Sequence, residues 1–183
     1  MIDPLVLRTL PQREFRSGLA ECIKHGVIRD PSLFEFIGDS LDAILALDPH
    51  TLVELVRRNV EIKAAVVIED EREAGVRAHL NFGHTFAHAI EATCGYGKYH
   101  HGEAVSLGMV AAVRLAVDTG RCNATVADRL VQLLSRIGLP TSAYDLVSPD
   151  ELVEKMRLDK KVANGRIQLV LPDRMGSVSI TSN

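Results

Sequence analysis

Residues 101–120, HGEAVSLGMVAAVRLAVDTG, restrict the fold of this 183-residue chain more than any other stretch. Apolar residues run almost all round the helix they would form, so other elements must enclose it, as in the middle of a bundle. Aromatic residues make up 4% of the sequence and tryptophan is absent. The core must therefore be built from Leu, Val, Ile and Ala, a mixture suited to helix on helix. Proline marks where those helices begin, because the first turn of a helix tolerates its missing N–H. Asp3-Pro4 predicts a short helix and Pro11 a long one over residues 11–28. Asp30-Pro31 predicts another short helix, and Asp48-Pro49 a long one over residues 49–68, with Leu52, Leu55, Val56 and Val60 in helical rhythm. Asn123 caps a helix that runs to residue 137 and stops at Gly138 and Pro140, and Ser148-Pro149 with Glu151 opens the last one. RIQLVL (166–171) and SVSIT (177–181) then flank a Pro-Asp and Gly turn region, which predicts a β-hairpin. The expected fold class is mainly α, one multi-helix bundle-like domain over residues 1–183 with a small C-terminal β-hairpin.

Composition removes several functions. With 46% hydrophobic and 25% charged residues the chain reads as a soluble globular protein. A net charge of −3 and the lack of basic blocks interleaved with aromatics argue against a nucleic-acid partner. No apolar run reaches membrane-spanning length and the N-terminus has no signal-peptide pattern, so a cytoplasmic protein with no membrane partner is expected. Cys22, Cys94 and Cys122 are isolated, which predicts buried reduced thiols. No strand leads through a glycine-rich turn into a helix, so this chain holds no dinucleotide-binding βαβ unit, and the GYG at 95–97 is assigned to a loop.

Chemistry concentrates in residues 77–103, RAHLNFGHTFAHAIEATCGYGKYHHGE. His84 and His88 are four apart between Gly83 and Gly95, so on a helix they project from one face and can converge on one ligand. His101 opens the next helix. Upstream, Glu21, Lys24 and His25 share a face of the long first helix, where an i,i+3 Glu–Lys pair is ordinarily solvated. Lys63 interrupts an apolar stretch and reads either as a semi-buried cation or as a lysine whose stem lies on the core while its amine reaches water. Imidazole with carboxylate suggests a divalent metal, zinc above others. HTFAH lacks the glutamate of the zinc-protease motif HExxH, and the cations Lys24, Lys63, Arg77, Lys160 and Lys161 suit a substrate with carboxylate and phosphate groups.

The runs LAECIKHG, DEREAGVRAHLNFGHTFAHAIE, HGEAVSLGMV and DKKVANGRIQLVLP resemble the C-terminal domain of 3-dehydroquinate synthase, in family order and spacing over nearly the whole chain. Ala87 departs from the family's usual glycine. The resemblance implies Glu21, His84 and His101 as ligands of Zn2+ or Co2+. It places His88, which spacing alone pairs with His84 on the metal, at an active-site histidine that contacts substrate. Lys24 and Lys63 match further active-site positions, Arg77 and Asn81 match substrate contacts, and the pair Lys160 and Lys161 matches another.

The implied reaction belongs to the shikimate pathway of aromatic amino acid biosynthesis. In it, 3-deoxy-D-arabino-heptulosonate 7-phosphate becomes 3-dehydroquinate and phosphate through NAD-dependent transient oxidation, elimination, reduction and aldol closure. The family enzyme also has an N-terminal NAD-binding domain and forms homodimers. This chain begins near the junction after that domain, so the isolated chain is expected to bind metal and anions without turnover. Alternatives are a sibling sugar-phosphate cyclase, a metal-dependent alcohol or glycerol dehydrogenase, whose ligand motifs differ from AECIK and HGE, and a helical metal-binding or interaction module without chemistry.

Overall fold

The computed structural model describes residues 2–72, 75–95, 97–142, 148–158, 162–163 and 166–182. A 3-10 turn, Pro4–Thr9, leads into α1 (Gln12–Ile28), α2 (Pro31–Asp39), α3 (Leu41–Leu45) and α4 (Pro49–Glu69). A second 3-10 turn, Val76–Asn81, precedes α5 (His84–Cys94), α6 (His101–Asp118), α7 (Ala124–Ile137) and α8 (Pro149–Leu158). The strands β1 (Val162–Ala163), β2 (Arg166–Arg174) and β3 (Ser177–Ser182) close the order.

Helix starts follow the Asp-Pro signals. Asp3, Asp30 and Asp48 are N-caps whose carboxylates accept main-chain N–H groups from Leu5, Ser32 and Thr51, with proline in the first turn behind each. Asn123 caps α7 in the same manner, and Gly138 ends it in the left-handed region at φ +84°. The short helix expected after Asp3-Pro4 is present as the 3-10 turn Pro4–Thr9, whereas α3 was not expected from the sequence.

α6 is the centre of the molecule. Eleven of its residues are buried, and it packs against α1, α5, α7 and β2. Two glycines let neighbours come to main-chain contact. A Cβ on Gly102 would lie 1.9 Å from Ser17 O on α1, and one on Gly108 would lie 2.0 Å from Gly83 O just before α5. These contacts bring three helix segments of the later site together.

The expected hairpin is present but longer. β2 and β3 pair antiparallel from Gln168↔Ser182 to Arg174↔Ser177, with a register shift between Pro172 and Arg174, where the missing proline N–H falls at the irregularity. The two-residue β1 adds a third strand on the other edge of β2. Leu169, Val170 and Leu171 are successive and all buried, so β2 is covered on both faces. That accounts for RIQLVL reading as an apolar run rather than an alternation. The three cysteines are free, and Cys122 is buried while Cys22 and Cys94 are half-buried. Among the described residues no helix is long and apolar enough to cross a membrane.

Candidate functional site

Glu21 sits in mid-α1, and Lys24 lies one turn further on. Lys24 is only 4% exposed, and its Nζ donates to Glu21 Oε2 at 2.5 Å. This is not a solvated surface pair: a buried ammonium requires a counter-charge, and Glu21 supplies it. The other carboxylate oxygen, Oε1, is buried and accepts no hydrogen bond. Its polar neighbours include His84 Nε2 at 3.4 Å and His101 Nε2 at 3.8 Å. Burial alone would push the Glu21 carboxyl up, but the His84 imidazole and the Lys24 ammonium outweigh it and hold the group far below the usual carboxylate range. An ionised oxygen without a hydrogen, set between two imidazole nitrogens, is an arrangement that a cation completes.

Both histidines present the same nitrogen. His84 is the first residue of α5, and its Nδ1 lies 3.2 Å from Phe82 O. A carbonyl can only accept, so Nδ1 carries a hydrogen, which leaves Nε2, the nitrogen that faces Glu21, as the one able to offer a lone pair to a cation. His101 is the first residue of α6, and its Nδ1 lies 3.3 Å from Glu91 Oε1.

One stripe of α1 holds this end of α6. Arg13, Ser17 and Glu21 are spaced four apart and so lie on one face. Arg13 donates from Nε and Nη2 to the two Glu103 oxygens at 2.7 and 2.6 Å, and Ser17 Oγ accepts from Gly102 N at 2.9 Å. Glu103 also accepts from His100 N at 2.8 Å and so closes the N-terminus of α6. His101, Gly102 and Glu103 are thereby read in turn by Glu21, Ser17 and Arg13.

Among the described residues, Glu21, His84 and His101 form a group of metal-ligating side chains whose ligand atoms all lie within 4.8 Å of one another. Tetrahedral zinc with bonds of about 2.0–2.1 Å sets its ligand atoms about 3.3 Å apart. The observed 3.4 and 3.8 Å separations from Glu21 Oε1 therefore fit a divalent ion with little adjustment. His88 stands beside this group, its ring edge-on to His84 at a centroid distance of 5.9 Å, while His84 and His101 are 5.3 Å apart.

The remaining candidates spread outward. Lys63 is exposed on α4, so its amine reaches water and the semi-buried reading gives way to the alternative. Arg77, half-buried in the turn before α5, donates from Nη1 to Glu71 O at 2.9 Å, and its main-chain N donates to Asp70 Oδ2 at 3.0 Å. Asn81, also half-buried, ends that turn three residues before His84. Lys160 and Lys161 lie outside the described residues. Arg13, Ser17 and Glu91 escaped the sequence reading. Glu91 carried a usable signal, because it lies seven residues after His84 on the same helical face.

A family model described as 3-dehydroquinate synthase C-terminal matches residues 18–162. The 3-dehydroquinate synthase of Prochlorococcus marinus (strain MIT 9211) is 46% identical over 185 residues, covering all of this chain and 50% of the relative. That of Desulforamulus reducens is 46% identical over 180 residues, covering 98% of this chain and again 50% of the relative. The chain thus spans about half the length of the curated relatives it matches. Among solved structures, 2-epi-5-epi-valiolone synthase from Streptomyces hygroscopicus subsp. jinggangensis 5008, with NAD+ and Zn2+ bound, superposes at TM-score 0.89 and 25% identity, over 100% of this chain and 51% of that one. A 2-deoxy-scyllo-inosose synthase complexed with carbaglucose-6-phosphate, NAD+ and Co2+ shares the fold at TM-score 0.85 and 24% identity, over 98% and 52% of the two chains. With the family model spanning most of its length and whole-chain relatives at this identity, the chain belongs to the 3-dehydroquinate synthase C-terminal family.

Proposed function

We propose that this chain is the metal- and substrate-binding domain of a 3-dehydroquinate synthase, a phosphate-eliminating lyase that converts 3-deoxy-D-arabino-heptulosonate 7-phosphate to 3-dehydroquinate and phosphate. The observation that carries this is the meeting of Glu21, His84 and His101, from three separate helices of a chain in that family, around an ionised carboxylate oxygen with no hydrogen bond. Zn2+ or Co2+ held by these three residues would polarise the substrate hydroxyls and leave a coordination position open for them. NAD, which supplies the transient oxidation, would be held mainly by an N-terminal domain in the other half of the complete enzyme.

The chain's own residues bind and orient the substrate. Arg77 with Lys63 and the Lys160–Lys161 pair takes the carboxylate and phosphate through charge-assisted hydrogen bonds, and Asn81 orients a hydroxyl. Lys24 keeps Glu21 ionised through their ion pair. His88, an imidazole beside the ligand set, accepts and returns a proton. The complete enzyme works as a cytoplasmic homodimer.

The test combines this chain with the N-terminal half of a relative and follows phosphate release and 3-dehydroquinate formation. Activity is expected from the pair and none from this chain alone. Turnover by the chain alone would sink the reading. A pair that cyclises another sugar phosphate but not this one would move it to a sibling synthase, a reading favoured only by the solved structures at 24–25% identity against 43–46% for the 3-dehydroquinate synthases.

A further inference from the structure

The two histidines are anchored unequally. His84 is 13% exposed, and its Nδ1 is engaged by a main-chain carbonyl, which no substitution of a side chain removes. His101 is 53% exposed at the very start of its helix, and its Nδ1 meets a side chain, Glu91 Oε1 at 3.3 Å. Glu91 is better covered, at 18%, and lies on α5 in the same stripe as His84 and His88. One helix therefore supplies both the first histidine and the group that engages the second.

We propose that Glu91 is a positioning residue that fixes the tautomer and ring orientation of His101, so that Nε2 rather than Nδ1 is offered beside Glu21. A carboxylate has no hydrogen to donate, and of the two that flank the ring only Glu91 is within hydrogen-bond distance, at 3.3 Å from Nδ1 against 3.8 Å from Nε2 to Glu21 Oε1, so the hydrogen is held on Nδ1 and the lone pair is then on Nε2. The ring is held by a hydrogen bond on one side while its other nitrogen points to Glu21 Oε1 at 3.8 Å. A carboxylate behind a ligating imidazole both orients it and strengthens it as a donor. This inference rests on the reading of Glu21, His84 and His101 as metal ligands.

Two measurements on the full chain test it, with Glu91→Gln and Glu91→Leu beside the parent. The first reads the His101 tautomer in metal-free, 15N-labelled protein from two-bond 1H–15N spectra, about two pH units above the ordinary imidazole value. The second reads zinc affinity by competition with a chelator. Glutamine fills the same space, but its amide donates as well as accepts, so it no longer dictates the tautomer. A role in packing alone would survive that change. The parent should hold the hydrogen on Nδ1 and both variants should gain the Nε2–H form. Zinc affinity should fall about 10-fold in the glutamine variant and up to about 100-fold in the leucine variant. A Glu91→Gln protein with the parent's tautomer and affinity overturns the proposal, as does a parent whose His101 is already Nε2–H. Failure of the ligand reading shows separately, as a His101→Ala variant that binds zinc as tightly as the parent, and the tautomer measurement then still decides the role of Glu91.

Discussion

Replacing Gly102 with alanine should damage the fold and the metal centre together. The added Cβ would lie 1.9 Å from Ser17 O, 2.6 Å from its carbonyl carbon and 2.7 Å from its Oγ. An ordinary carbon–oxygen approach is about 3.3 Å, so the first turn of α6 must retreat from α1 by about 1.4 Å. The two closest opposing atoms are main chain, and no rotamer change relieves them. Overpacking of this kind costs about 1–3 kcal/mol. The lost Gly102 N–H to Ser17 Oγ bond adds about 1 kcal/mol, and better helix propensity returns about 0.5–1 kcal/mol. A net loss of about 1–3.5 kcal/mol follows. The same retreat carries His101 with it, so its Nε2, now 3.8 Å from Glu21 Oε1, moves well beyond the ~3.3 Å spacing of ligands around one zinc ion. Urea denaturation of metal-free protein followed by circular dichroism reads the first effect, and chelator competition for zinc reads the second. Gly18→Ala on the opposing α1 is the control, since its Cβ would meet no neighbouring element within 4 Å, and it should gain about 0.5–1 kcal/mol. A Gly102→Ala protein with the parent's midpoint and zinc affinity would refute the argument.

Other outcomes are equally specific. Glu21→Ala, His84→Ala and His101→Ala should each lose bound zinc while His88→Ala keeps it, as read by metal analysis of purified protein; the reverse order would make the i,i+4 pair the site. Burial lowers the pKa of His25, against the opposing Asn59 hydrogen bond, and burial lowers that of His79 as well. The unfolded chain therefore takes up these protons first, so stability is complete above about pH 6.5 and is lost as pH falls from there toward the folded-state values. His25→Gln should flatten part of that slope in denaturation midpoints measured across pH. Asp30 accepts from Ser32 N and Oγ at 2.9 and 2.7 Å. Asp30→Ala should thus cost about 1 kcal/mol and Asp30→Asn little, read by the same urea titration.

What the sequence made legible was local. Asp30-Pro31, Asp48-Pro49, Asn123 and Gly138 mark helix ends because capping is settled within a few residues. The apolar wrap of residues 101–120 announced a central helix because burial on all sides leaves no polar face. α3 went unseen because five residues are too few for periodicity, and β1 because two residues carry no alternation. At the site, spacing alone favoured His84 with His88, whereas Glu21 lies 63 residues before His84 and 80 before His101 in the chain. Only the resemblance joined those three, since i,i+4 geometry reports neighbours on one helix and is silent on what another helix brings. The Arg13–Glu103 and Ser17–Gly102 contacts span 90 and 85 residues and lay beyond any local rule.

The stripe Arg13, Ser17 and Glu21 makes α1 a ruler whose divisions are helical turns. Inserting or deleting one residue between Ser17 and Glu21 turns everything beyond it by about 100° relative to the part still gripping α6. Glu21 and Lys24 would swing away from His84 and His101 even though every residue type survived. Length in this segment is thus a stricter requirement than composition, and variation among its other positions should be by replacement, with the count of residues held fixed.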